Sequence, residues 1–221
     1  MLYVPGSGAT IDLARMEPAE LRTVRGNEIS MIFQEPLTSL NPVLRIGDQI
    51  AEAIILHQGA SRKAAMAQAL AQLQLVRIPD AERRLKQYPH ELSGGMRQRV
   101  MIAMALVGQP RLLIADEPTT ALDVTLQAQV LSLLADLVKS TDTAVLMITH
   151  NLGVVAQICS HVAVMYAGHV VESGLTREVL HAPRHPYTRA LLAALPRPGL
   201  ARGQLANLPG RVPDLIRPPP G

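Results

Sequence analysis

Leu112-Leu113-Ile114-Ala115-Asp116-Glu117-Pro118-Thr119-Thr120-Ala121-Leu122-Asp123 is the stretch whose reading decides the fold. A short, wholly apolar run ending in an acid is the pattern of a buried parallel strand with a functional residue at its carboxyl end. An acid in that place holds a Mg²⁺ ion through water. Glu117, next in line, is placed to orient and deprotonate an attacking water. Two adjacent acids at the end of an apolar strand are costly unless a cation or a proton is supplied. The competing reading is a pair of acids at a helix start, where the positive helix end favours carboxylates.

Outward from this strand, apolar runs at residues 29–33 and 144–148 have the same strand character, and the second reads as another buried strand. Helical spacing of apolar residues covers 46–57, 62–76 and 126–139, with Ser61 as the N-cap of the second. Ser93 precedes a further helix to about residue 107, stopped by Gly108 and Pro110. Residues 18–22 read as a short helix with Pro18 in its first turn and Gly26 ending it. Residues 1–14 are irregular apart from a strand end at 9–13. Residues 162–166 and 169–172 form a late hairpin, and 187–195 a final helix in an appendage rich in Pro. Strands alternating with helices make an α/β domain with a largely parallel sheet.

Three further segments carry chemistry. Leu92-Ser93-Gly94-Gly95-Met96 opens a helix, so its free backbone N–H groups and the positive helix end point at an anion, with the Ser93 hydroxyl as an added donor. An ordinary N-cap after a loop reads the same way. Thr149-His150 follows an apolar strand, where a neutral imidazole contacts a phosphate or steadies a water; a structural histidine is the alternative. Gln34 sits at a strand-to-loop exit, the place of a metal ligand or phosphate sensor, or simply of a surface glutamine.

Composition removes several classes. Aromatics make up 2% with no Trp, so the core is built from aliphatic residues, and the nine Met are core fillers before they are a binding surface. Cys159 stands alone, which excludes an internal disulfide and any multi-cysteine metal site within these residues. No apolar run reaches the roughly 18 residues needed to span a bilayer, and the N-terminus lacks signal-peptide character, so the expectation is a soluble chain able to dock on a membrane protein. Of the 21 Lys and Arg, seven lie from Arg177 onward, which leaves fourteen before it; of the 18 Asp and Glu, two lie there, which leaves sixteen. The main body is slightly acidic and only the tail is basic. With stacking aromatics nearly absent, a nucleic-acid groove is disfavoured.

In order along the chain, these segments resemble the ATP-binding subunits of ABC transporters. Gln34 matches the Q-loop, Leu92 to Met96 the signature, Leu113 to Glu117 the Walker B strand, Ala121 to Asp123 the D-loop and His150 the switch histidine, over roughly residues 12–176. The run Phe33-Gln34-Glu35-Pro36-Leu37-Thr38-Ser39-Leu40-Asn41-Pro42 and Met96, where many ABC proteins have Gln, resemble the oligopeptide/dipeptide importer branch. So does the tail His185-Pro186-Tyr187-Thr188-Arg189-Ala190-Leu191-Leu192, which otherwise reads as a generic amphipathic helix.

The resemblance implies a P-loop NTPase-like (RecA-like) ABC nucleotide-binding domain over 1–176, incomplete at its N-terminus, with a helical subdomain at about 41–100 and a C-terminal extension over 177–221. It implies ATP and Mg²⁺ as cofactors, Glu117 and His150 in catalysis, and Gln34, Ser93, Gly94, Gly95, Asp116 and Asp123 around the nucleotide, with Gln34 and Asp116 on the metal. The implied function is ATP hydrolysis that energises import of peptides, or of related solutes such as nickel. The implied partners are a second ATP-binding subunit, transmembrane permease subunits and, indirectly, a substrate-binding protein, with no nucleic acid. The implied place is the cytoplasmic face of the membrane, as a peripheral protein. Two other readings stand beside it: a non-hydrolysing half that only donates its signature turn to a partner site, and a soluble ABC-type protein of DNA repair or translation. The latter requires a basic groove or a long coiled-coil insertion, and the sequence has neither.

The family's phosphate-binding string, G-x-x-x-x-G-K-[ST], does not occur in these 221 residues. Gly6-Ser7-Gly8-Ala9-Thr10 has glycines but no lysine, and the lysines are Lys63, Lys86 and Lys139, each in a helical context. That loop and a preceding adenine-stacking aromatic are expected upstream of Met1. Without them the chain by itself is expected to be inactive and poorly stable, with an unpaired sheet edge. The tail Pro209-Gly210-Arg211-Val212-Pro213-Asp214-Leu215 resembles a family segment that often continues into a cysteine-bearing stretch, here ending at Pro218-Pro219-Pro220-Gly221.

Overall fold

The computed structural model describes residues 2–3, 10–34, 39–120 and 122–195. Gly6, Ser7 and Gly8, the Q-loop continuation Glu35, Pro36, Leu37 and Thr38, Ala121, and the tail from Pro209 to Gly221 lie outside them. The chain divides into two compact units, Met1–Ile148 and Thr149–Gly221.

The first unit is organised by three parallel strands, β3 (Ile29–Ile32), β4 (Leu112–Asp116) and β5 (Ala144–Ile148), in the order β3-β4-β5. Ile32 pairs with Ala115, and Asp116 with Ile148. Each is mostly apolar and free of proline, as a ladder requires. A two-stranded antiparallel pair, β1 (Leu2–Tyr3) and β2 (Ile11–Asp12), precedes them. The Tyr3 hydroxyl donates to Glu28 at 2.6 Å, just ahead of β3.

One face of the parallel sheet is packed. Ile32 and Leu113 are fully buried against helices Gly94–Leu106 and Val124–Ser140, which contribute Val100, Ile102, Leu133 and Leu134. The other face is open among the described residues: Met31, Leu146 and Ile148 are exposed. This corrects the expectation of a buried strand at 144–148. The run is apolar on both sides, but the described helices cover only the side that carries Val145 and Met147.

Between β3 and β4 the helices Ile46–Gln58 and Arg62–Leu75 form the helical region. Ile46, Ile50 and Ile54 recur every four residues on the first, and Ala65, Ala69 and Leu73 on the second. Each spacing draws one apolar stripe, and the two stripes bury each other. Full burial of each isoleucine contributes roughly 2 kcal/mol. Ser61 caps the second helix as expected, its hydroxyl accepting from the Ala64 N–H.

The second unit begins with helix Leu152–Ile158, then a hairpin of β6 (His161–Tyr166) and β7 (His169–Leu175). Ala167 and Gly168 turn the hairpin with φ of 49° and 82°, the left-handed pair that a two-residue loop between twisted strands needs. Helices Thr176–His181 and Pro186–Ala193 follow. The short helices at 152–158 and 176–181 were not legible in the sequence, being too brief for a periodic signal.

Candidate functional site

The parallel register builds the site. Ile32 lies opposite Ala115, so two residues further on Gln34 arrives beside Glu117, across 83 positions of sequence. The Gln34 Nε2 donates to the Glu117 Oε2 at 3.2 Å. Asp116, half-buried, is the last residue of β4, at the carboxyl end where open parallel sheets place their ligands.

Glu117 has left the strand. Its φ is 42°, a left-handed conformation that costs a non-glycine residue roughly 1–2 kcal/mol. Its N–H donates to the Ile148 carbonyl at 2.9 Å, and its own carbonyl accepts the Thr120 N–H at 3.3 Å. Between them Pro118 and Thr119 are buried. The turn is anchored at both ends and in the middle.

A second group of expected residues comes together on two helix starts. The Ser93 hydroxyl accepts from the Met96 N–H, and the Asp123 carboxylate accepts from the Leu126 N–H at 2.9 Å. Both are N-caps. The Ser93 cap leaves the remaining N–H groups of the helix start pointing outward, so the capping and the anion-binding readings describe the same turn. Gly95 is buried against Leu126: a Cβ there would stand 2.4 Å from a Leu126 methyl, so any other residue requires the Leu126 side chain to shift.

His150, exposed, is the second residue of the second unit, two residues after Ile148. The Asn151 side chain caps the helix that follows it, accepting from the Gly153 N–H at 3.0 Å. In the same unit Glu172 on β7 receives the backbone N–H groups of Arg184 at 2.7 Å and His185 at 3.1 Å. These bonds, the Arg184 N–H foremost, hold its carboxyl below the ordinary carboxylate range. His185 then caps the last helix through Nδ1, and the Tyr187 ring packs on Tyr166 with centroids 4.5 Å apart. The His-Pro-Tyr stretch of the tail is thus a docking device for that helix.

For a metal, the first unit offers Asp116 and the Gln34 amide. With Nε2 engaged by Glu117, a metal would be met by the amide oxygen. Among the described residues no cluster of three or more His, Cys, Asp or Glu exists. One carboxylate and one amide oxygen suit Mg²⁺, which keeps most of its waters and shares a substrate's phosphates; they do not make an all-protein cage. One residue of the site went unread in the sequence. Thr120 donates its hydroxyl to the Glu117 Oε2 at 2.5 Å. A hydroxyl three residues past an acid in a turn is the signal that points to it.

The family model for ABC transporters matches residues 2–120, and the model for the oligopeptide/dipeptide transporter C-terminal region matches residues 171–221. The dipeptide transport ATP-binding protein DppD of Bacillus subtilis is 54% identical over 210 residues, covering 95% of this chain and 63% of DppD. The glutathione import ATP-binding protein GsiA of Escherichia coli is 56% identical, covering 96% of this chain and 34% of GsiA. The chain therefore spans less than two thirds of the length of these relatives. The dimeric ATP-binding cassette MJ0796, solved with ADP and Pi, is similar with a TM-score of 0.64 at 29% identity, over 74% of this chain and 69% of that one. A parallel sheet with the Gln34–Glu117 pair at its carboxyl end, matched over more than half its length to one family and over its tail to a second, places this chain in the ABC transporter ATP-binding family, within the branch that carries the oligopeptide/dipeptide transporter C-terminal region.

Proposed function

We propose that this chain is an ATP-binding and ATP-hydrolysing subunit that energises peptide import through a membrane ABC transporter. The observation that carries the reading is the meeting of Gln34 and Glu117 beside Asp116, side chains brought from separate strands to one sheet end. The names of the relatives, dipeptide and oligopeptide transport ATP-binding proteins of Bacillus subtilis, support peptides as the cargo.

In this reading Mg²⁺ and ATP supply the phosphoryl group, its leaving group and the charge neutralisation between them. Asp116 and the Gln34 amide oxygen would hold the metal. Glu117 orients the attacking water and accepts its proton. The family resemblance gives His150 the role of steadying a water or a phosphate. Ser93, Gly94 and Gly95 serve the nucleotide of a second ATP-binding subunit, because a capped helix start with outward N–H groups is an anion site that a partner can fill, and Asp123 also belongs to the nucleotide site. The cassette reaches to about residue 176, and the extension from 177 onward follows it.

The helical region at about 41–100 meets the permease subunits, and through them a substrate-binding protein. Its exposed apolar residues Val43, Leu44, Ile55 and Leu56 support a protein contact there. No helix among the described residues is long and apolar enough to cross a membrane, which suits a peripheral subunit at the cytoplasmic face. The test is Glu117→Gln in the assembled transporter: ATP still binds and hydrolysis falls by roughly 10²-fold or more. Hydrolysis at the wild-type rate would overturn the reading.

A further inference from the structure

We propose that Thr120 is a positioning residue for Glu117, its hydroxyl setting the direction in which the carboxylate presents itself to the water. This rests on the proposed hydrolytic role of Glu117 and goes beyond it.

The backbone of Glu117 is over-determined. Its left-handed φ is held by the bond to Ile148 on one side and the Thr120 N–H on the other. That fixes where Cβ points but leaves the terminal torsion of the side chain broad and roughly two-fold. Two donors remove this freedom. Thr120 Oγ1 at 2.5 Å and Gln34 Nε2 at 3.2 Å both bond Oε2, one from three residues along the chain and the other from a separate strand's exit. Two bonds on one oxygen fix the plane of the carboxyl group, and with it the place of Oε1. The Thr120 contact is the shorter, in the range of a charge-assisted O–H···O⁻ bond.

The two donors also differ in how firmly they are held. Gln34 is exposed and reaches over a flexible side chain. Thr120 is β-branched, with few χ1 states, and stands on a turn tied down by buried Pro118 and Thr119. The hydroxyl is the rigid reference and the amide the adjustable one. Thr120 itself is exposed and buries little, so its role is in aim rather than in packing.

Three variants test this: Thr120→Val, which keeps the shape and removes the hydroxyl, Thr120→Ser, which keeps the hydroxyl, and Glu117→Gln. The first readout needs no nucleotide. With ¹³C-labelled glutamate in the ligand-free full chain, the Glu117 carboxyl resonance is assigned by its loss in Glu117→Gln. It is expected to move in Thr120→Val and to stay in Thr120→Ser. The second readout, in the assembled transporter, separates turnover from binding. Thr120→Val is expected to lower kcat about tenfold, the scale of one hydrogen bond to a charged group, with binding of a non-hydrolysable ATP analogue unchanged. Thr120→Ser is expected to restore most of the rate. An unmoved resonance in Thr120→Val, wild-type kcat in that variant, or a Thr120→Ser rate as low as that of Thr120→Val would each overturn the assignment. Glu117→Gln at wild-type rate would instead sink the hydrolytic role itself. An inactive Glu117→Gln beside a fully active Thr120→Val would sink only the part given to Thr120.

Discussion

Glu117 and Glu172 both accept hydrogen bonds, yet side chains lead at the first and a backbone N–H at the second. Glu172 is met by consecutive backbone N–H groups, those of Arg184 and His185. They cannot leave without unravelling the entry to the last helix. Glu117 is met by two side chains, Gln34 and Thr120, while its own backbone is the part that is tied down. Backbone donors make a fastener; side-chain donors can exchange their partner for a water, a metal or a phosphate without moving the fold. The difference separates a carboxylate that holds a segment in place from one that is aimed.

The largest effect should come from exchanging the two roles. Glu117→Gln is expected to abolish most ATP hydrolysis in the assembled transporter while leaving amide exchange at Arg184 and His185 unchanged. Glu172→Gln is expected to do the reverse, speeding exchange at those two amides by about tenfold through loss of a charged acceptor, with hydrolysis largely kept. If either variant disturbs both readouts equally, the contrast between fastener and aimed group fails.

An intermediate effect follows from pH. Because the folded state holds Glu172 below its ordinary value of 4.5, its contribution is fully present above that value. It is lost as pH falls from 4.5 through the lowered folded value. Protection of the Arg184 and His185 amides should therefore be flat from neutrality to about 4.5 and decline below it. A decline that sets in well above that value would remove Glu172 as its cause.

The smallest effect concerns what lies beside the fastener. Tyr166→Leu removes one ring of the Tyr166–Tyr187 pair and is expected to cost about 1 kcal/mol, read as a modest drop in the unfolding midpoint of the chain with the two amides still protected. Loss of their protection would make the ring pair, rather than Glu172, the anchor of the last helix.

Much of this contrast was legible one residue at a time. The acid pair at the end of the 112–116 run, the glutamine after 29–33 and the His-Pro-Tyr tail all stood out by type and order. Their partners did not. Glu172 lay unremarked in a strand of mixed character, and Thr120 was one hydroxyl among several. The helices at 152–158 and 176–181 escaped because six or seven residues are too few to show a period of 3.6. The strand at 144–148 was found and its burial was not, because apolar residues on both faces state what a strand tolerates and not what covers it.

By itself the sequence determined the local features: strand and helix identity from the period of apolar residues, helix starts at Ser61 and Ser93 from side chains that cap nearby N–H groups, and the order of the acidic, amide and glycine positions along the chain. Those interactions span a few residues, so a linear reading reaches them. The tertiary structure alone decided that Gln34 meets Glu117, that Gly95 lies against Leu126 and that Glu172 receives the tail. Each depends on which strands pair, in what register, and which helix lies over them. A register shift of one residue would turn Gln34 to the other face of the sheet and dissolve the site while every local preference stayed satisfied.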